Sequence, residues 1–207
     1  MLTIVEGRVL GCLLEKERTT PDQYPLSANA LQSACNQSTA REPIMSIEPH
    51  AVEAAITTLK AAGLVRLVHP SHGRSVTRSR QVADEHFGWS TAQAAVMAVL
   101  LLRGPQTVAE LRTRTERQHA FASLDDVEHA LRELAAGDAV AGHQSMVVQL
   151  ERATGQKELR WQQLLGEEAE PTQRHAAGPG PSALTERVNE LEARVAKLEA
   201  ALADLLD

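Results

Sequence analysis

Two groups of side chains in this chain have the chemistry to grip a polyanion. The first is "ACNQSTAREP" (34–43), where Asn36, Gln37 and Arg41 stand among small residues with almost nothing apolar. The second is residues 63–82, which hold Arg66, Arg74, Arg78 and Arg80 and no acid. A guanidinium donates hydrogen bonds in a fork that matches phosphate oxygens, and Asn, Gln and Arg are the usual readers of base edges. Catalysis has weaker signals. The eight histidines are scattered, and the one close pair, His69 and His72, has no carboxylate or thiol near it in sequence. There is no phosphate-binding Gly-rich loop and no G-x-S-x-G nucleophile turn. Cys12 and Cys35 have neither a disulfide nor a metal-ligand spacing, and Cys12 lies in an apolar helical run as a small core residue. The expectation is a protein that is not an enzyme and uses no cofactor or metal.

Charge sharpens this. The net −6 of the 207 residues is unevenly placed. Residues 1–89 are neutral, with 9 basic and 9 acidic side chains; residues 90–165 carry 8 against 9, and residues 166–207 carry 4 against 9. The acidity belongs to the end of the chain, so the arginines of 63–82 form a local basic patch on a neutral body. Hydrophobic residues make up 43% but aromatics only 2%, so the core must be aliphatic. No apolar run is long enough to span a membrane, and no cleavable signal pattern opens the sequence, which points to a reducing cytoplasm.

The elements that must position these residues occur twice. "VEAAITTLKAAGLV" (52–65) and "VEHALRELAAGDAV" (127–140) share a V-E start, one apolar helix face and a glycine stop, Gly63 and Gly137. Each follows a longer apolar helix, 3–16 and 91–104, and a short one, 27–36 and 107–115. Ser27 reads as the N-cap of the first short helix, and Ser123 with Asp126 as a capping box for the last helix. After each glycine come two β-like runs joined by a turn, 64–69 with 75–83 and 140–152 with 158–164. Helix, helix, helix, strand, turn, strand is the order of a winged helix. The expected fold is mainly α with small β-hairpins (α+β): winged-helix domains at 1–89 and 90–165, a flexible linker at 166–183 and a coiled-coil helix at 184–207.

The tail carries its own pattern. Leu184, Val188, Leu191, Val195, Leu198, Leu202 and Leu205 are spaced 4, 3, 4, 3, 4, 3, a heptad seam with Leu at d and mostly Val at a. That choice favours a parallel two-stranded coil, in which Arg187 and Arg194 at g face Glu192 and Glu199 at e of a partner. These seven residues are the expected dimer contacts. The alternative is an amphipathic helix folded back on its own body.

"LLEKERTTPDQYPLSANALQSACNQSTAREPIM" (13–45) resembles the signature region of the YceH-like family, bacterial proteins of unassigned function. The resemblance continues through "FGWSTAQAAVMAVLLLRGPQTVAELRTRT" (87–115) and ends in a coiled-coil tail. It implies a tandem winged-helix fold and a nucleic-acid role. Ala40 stands where members of that family often carry Asn, so one polar contact there is lost or dispensable.

A DNA-binding winged helix lays its third helix in the major groove and its wing on phosphate or the minor groove. The first unit's third helix starts near Glu48, with Pro49 in its first turn, and should turn His50, Glu53, Ala54, Thr57 and Lys60 outward. Arg74 falls at the wing tip, and Arg78 and Arg80 share a strand face. The expected contacts to double-stranded DNA are therefore Asn36, Gln37, Arg41, His50, Thr57, Lys60, Arg66, Arg74, Arg78 and Arg80. The second unit's third helix should expose Asp125, Glu128, His129, Arg132 and Glu133, a surface that phosphate repels. Two functions follow: a homodimeric DNA-binding protein of the transcription-regulator kind, or a protein–protein adaptor using the same modules without touching DNA. For "ACNQSTAREP" itself the expectation is the turn of a helix-turn-helix in which Asn36, tolerant of the left-handed conformation, closes the preceding helix; the choice left open is between a self-satisfied turn and one that presents Asn36, Gln37 and Arg41 to phosphate.

Overall fold

The computed structural model describes residues 1–69, 76–137, 144–152 and 158–167. Arg74, the linker from residue 168 onward and the heptads of 184–207 lie outside the described residues.

Capping chemistry starts most of the helices. Thr3 and Glu6 form a reciprocal capping box at the start of α1 (Ile4–Thr19). The Ser27 hydroxyl accepts from the N–H of Ala30 to open α2 (Ala28–Cys35). Glu48 precedes α3 (Pro49–Ala61), whose Pro49 fills the first turn, where a missing N–H costs nothing. The polypeptide leaves α3 through Gly63 at φ 75°, a left-handed conformation that glycine adopts without strain. It then forms β2 (Val65–Val68) and β3 (Arg78–Gln81). A two-residue strand ahead of α2, β1 (Leu26–Ser27), completes an antiparallel sheet in the order β1-β3-β2.

The second half repeats the order. Ser90 with Gln93, Thr107 with Glu110 and Ser123 with Asp126 box the starts of α5 (Thr91–Arg103), α6 (Val108–Thr115) and α7 (Leu124–Ala136). β4 (Val147–Gln149) and β5 (Trp161–Gln163) then pair antiparallel. Gln106 takes the place that β1 holds in the first half: its N–H donates to Trp161 O at 3.0 Å and Trp161 N–H donates back at 2.7 Å. Seven α-helices and two small antiparallel sheets thus make a mixed α/β architecture among the described residues. None of those helices is long and apolar enough to cross a membrane.

Two elements escaped the sequence pattern. The run read as strand through residue 83 ends at Gln81, and α4 (Ala83–Phe87) follows at once. The Gln81 side chain explains the switch, because its Oε1 accepts the N–H groups of Ala83 and Asp84 and so caps the new helix. β1 is too short for any alternation to show.

Met1–Glu170 form one compact unit with a continuous aliphatic core. α1 lies at its centre, with every residue from Gly7 to Leu14 buried. It packs on α3 with one face and on α5 with another, so the two halves share their longest helix contact. The core also holds Cys12 and Cys35 side by side as free thiols. The Cys35 thiol is pushed well above its ordinary range, first by its hydrogen bond with Cys12 and then by burial.

Candidate nucleic-acid interface

α3 buries Val52, Ala55, Ile56 and Leu59, and this leaves His50, Glu53, Ala54, Thr57 and Lys60 exposed on its other side, as their spacing predicts. The Thr57 hydroxyl donates to Glu53 O one turn back. In the sheet, Ser79 and Gln81 point inward and Arg78 and Arg80 outward. Arg66 of β2 stands directly opposite Arg80, and Val68 opposite Arg78. Three guanidinium groups therefore share the solvent face of one hairpin. Arg78 is anchored by a hydrogen bond to Pro25 O at 2.9 Å.

One residue that sequence reasoning passed over sits among them. Glu85 of α4 pairs with Arg80 at 2.5 Å and with Arg66 at 3.5 Å. All three side chains are at least one-third exposed, so these pairs exchange readily with solvent ions and contribute little to stability.

In the α2–α3 turn the self-satisfied alternative holds, with two differences in detail. Asn36 does end α2, but at φ −93°, not in the left-handed region. Its side chain does the closing: Oδ1 accepts the N–H of Ile47 at 2.8 Å and Nδ2 donates to Ile47 O at 3.0 Å. Both ends of the amide are thereby used within the fold. Arg41 is a correction as well. Its side chain is 0% exposed and reaches no surface. Its Nη1 and Nη2 clasp the two oxygens of Glu15 at 3.1 and 2.6 Å, Nε donates to Ala34 O, and Nη2 also donates to Gln37. Burial alone would depress this guanidinium; the Glu15 carboxylate, together with the neighbouring Cys12, outweighs it and holds Arg41 above its ordinary value. Gln37, half-buried, accepts from Arg41 and from Lys16 Nζ at 3.4 Å. The turn is self-satisfied, and a duplex docked on α3 would not meet Arg41.

The left-handed residue of the turn is Ala40, at φ 59°. An alanine there carries the Cβ clash that disfavours this region, roughly 1–2 kcal/mol. Asn tolerates it, which gives a backbone reason for the Asn common at this position in the resembling family. Ala40→Asn should raise unfolding stability by about 0.5–1 kcal/mol, and Ala40→Val should lower it by at least as much. Urea denaturation of the two variants checks the opposite signs.

In the second half, Asp125, Glu128, His129, Arg132 and Glu133 are all exposed on α7. Glu128 pairs with Arg132 at 3.7 Å, and His129 with Glu133 at 3.4 Å. Arg112 of α6 donates to Phe121 O and Ala122 O, and Arg114 lies 3.5 Å from Glu110. Among the described residues no three His, Cys, Asp or Glu side chains converge as metal ligands.

Comparison with known proteins places the chain. A family model described as "Protein of unknown function, DUF480" matches residues 2–156. The chain is 44% identical over 205 residues to a UPF0502 protein of Dechloromonas aromatica, covering 99% of this chain and 92% of that one. It is 44% identical over 214 residues to UPF0502 protein Smlt0097 of Stenotrophomonas maltophilia, covering 99% and 94%. A UPF0502 protein of Serratia proteamaculans is 41% identical over 209 residues, covering 100% and 96%. The match with the family model and these near full-length relatives establish that the chain belongs to the DUF480 family of bacterial UPF0502 proteins.

Proposed function

We propose that the chain is a double-stranded-DNA-binding protein built from two winged helices, with the first contacting the DNA backbone. The observation that carries this reading is the shared outward face of Arg66, Arg78 and Arg80 on the hairpin that directly follows the exposed side of α3. The sheet order β1-β3-β2 behind a three-helix unit supports the winged-helix assignment. His50, Thr57 and Lys60 are small or singly charged, so they suit backbone contact and light base contact better than a bidentate base code. Arg74, by its place in the sequence, extends the basic wing. The heptads from Leu184 to Leu205 supply a parallel dimer, which would present two such faces at once, in a cytoplasmic setting.

The test is affinity for a random duplex across a salt series. Each phosphate neutralised contributes about −0.9 to the slope of log affinity against log salt. Arg66→Gln, Arg78→Gln and Arg80→Gln should each flatten that slope by about that amount. Glu85→Gln, which frees two arginines from their internal partner, should instead strengthen binding several-fold. Affinity that is undetectable at low salt, or indifferent to salt, sinks the reading. Removal of residues 184–207 should halve the solution mass, and an unchanged mass would exclude the coil as the dimer contact.

The exposed acidic side of α7 favours a second reading, a protein–protein adaptor in which that helix docks a basic partner. Charge reversal at Glu128 and Glu133 with intact DNA affinity, but loss of a co-purifying protein, would separate the two.

A further inference from the structure

A cleft of about 500 Å³ opens between the C-terminal end of α1, the α2–α3 turn, the end of α5, and α6 with the turn after it. It shares no residue with the arginine face of the hairpin. Its charged lining is Lys16, Arg103, Arg114 and Arg117 against Glu15 and Glu116. The volume falls in the range of small-molecule sites, yet no aromatic side chain lines it, and its walls are mostly threonine, glutamine and arginine.

The positive charge is only partly met internally. Glu15 pairs with the buried Arg41 behind the wall at 2.6 Å and lies 3.7 Å from Lys16 Nζ. Arg114 leans 3.5 Å from Glu110, but Glu110 already holds Arg160 at 2.9 and 3.3 Å. Arg114 Nη1 is buried without a hydrogen-bond acceptor, and so is the Gln118 Oε1 nearby without a donor. Arg103 and Arg117 make no ion pair with any described residue. Arg103 is pushed below its ordinary value, first by burial and then by the like charge of Arg114. The carboxylates of Glu15 and Glu42 offset only part of that effect on Arg103. Helix ends account for part of this charge, since Lys16, Arg103 and Arg114 sit in last turns. Three C-termini at about half a negative charge each offset roughly one and a half of the four cations, and Glu116 offsets one more. More than one positive charge is left over.

We propose that this cleft binds a small phosphate ester rich in hydroxyls, of sugar-phosphate size. Arg103 and Arg114 hold the phosphate in charge-assisted hydrogen bonds, and Gln37, Gln118 and the threonine hydroxyls meet the ligand's hydroxyl groups. The site is independent of DNA binding by the hairpin.

The test titrates the full chain with glucose 6-phosphate, inorganic phosphate and glucose, read by thermal midpoint and by NMR shifts of the arginine Nε–H groups. A saturable rise with glucose 6-phosphate, a weaker one with inorganic phosphate and none with glucose is the expected result. Arg103→Gln and Arg114→Gln should each weaken binding tenfold or more, while Arg78→Gln leaves it unchanged. Should either cleft variant fold poorly, the NMR shifts of the unsubstituted chain decide alone. Absence of any shift with both phosphates overturns the proposal. So do shifts confined to Arg66, Arg78 and Arg80, or competition by a DNA duplex for the cleft residues.

Discussion

Replacing Arg41 with alanine is expected to cost about 3–5 kcal/mol of folding stability while leaving the DNA affinity of the folded fraction unchanged. The guanidinium is fully enclosed, and Glu15, its partner, is only 14% exposed. Deleting the arginine strands that carboxylate without its counter-charge and leaves Ala34 O and Ala40 O without their donor. Leaving a buried charge unpaired costs more than the pair itself was worth, so the loss should exceed that of an ordinary surface ion pair several-fold. Lysine cannot substitute, because one ammonium cannot span two carboxylate oxygens and a carbonyl together. Removing both partners with apolar residues, Glu15→Leu with Arg41→Met, should recover most of the loss. Urea unfolding of the unsubstituted chain, Glu15→Leu, Arg41→Met and the double variant closes the cycle. If Arg41→Ala unfolds at the denaturant concentration of the unsubstituted chain but loses DNA affinity, the guanidinium reaches the surface after all.

That residue also marks the limit of what the sequence could disclose. The helices were legible because their signals are local. Caps at Ser27 and Ser123, the Glu48–Pro49 start and the glycine stops at 63 and 137 act within a few residues, and the apolar spacing fixes which face turns inward. The outward sets of α3 and α7 followed directly from that spacing. Arg41 did not, because its burial depends on Glu15, 26 residues away on α1. Local pattern treats any arginine in a polar loop as exposed. Asn36 was placed correctly at the end of α2 but for the wrong reason: the amide reaches forward to Ile47, and the left-handed residue is Ala40. Glu85 was invisible for a third reason. It belongs to a five-residue helix too short to show periodicity, and only the hairpin register brings Arg66 and Arg80 together around it. The candidate face was therefore readable as a list of arginines, while its internal counter-ion was not.

Two glycines one turn apart in α1 should respond to alanine with opposite signs, and this tests how the halves are joined. In a helix interior Gly→Ala gains about 1 kcal/mol from propensity alone. At Gly7 a Cβ would meet only Leu101 Cδ2 at 3.5 Å, an ordinary contact, so Gly7→Ala should stabilise by about 0.4–1 kcal/mol. At Gly11 the same carbon would lie 2.9 Å from Leu102 Cγ, 3.0 Å from its Cδ2 and 3.1 Å from Leu101 Cβ. Those atoms belong to α5, and Leu102 is 2% exposed, so it has no solvent to swing into. Overpacking of that kind costs about 1–3 kcal/mol, which outweighs the propensity gain, and Gly11→Ala should destabilise. The two shortest contacts both belong to Leu102. Gly11→Ala combined with Leu102→Ala should therefore be more stable than the sum of the two single losses predicts, because the new methyl enters the space that leucine vacates. Strict additivity would mean that α1 and α5 simply move apart. The two halves would then be joined by an adjustable seam, not by the close helix contact that Gly11 permits.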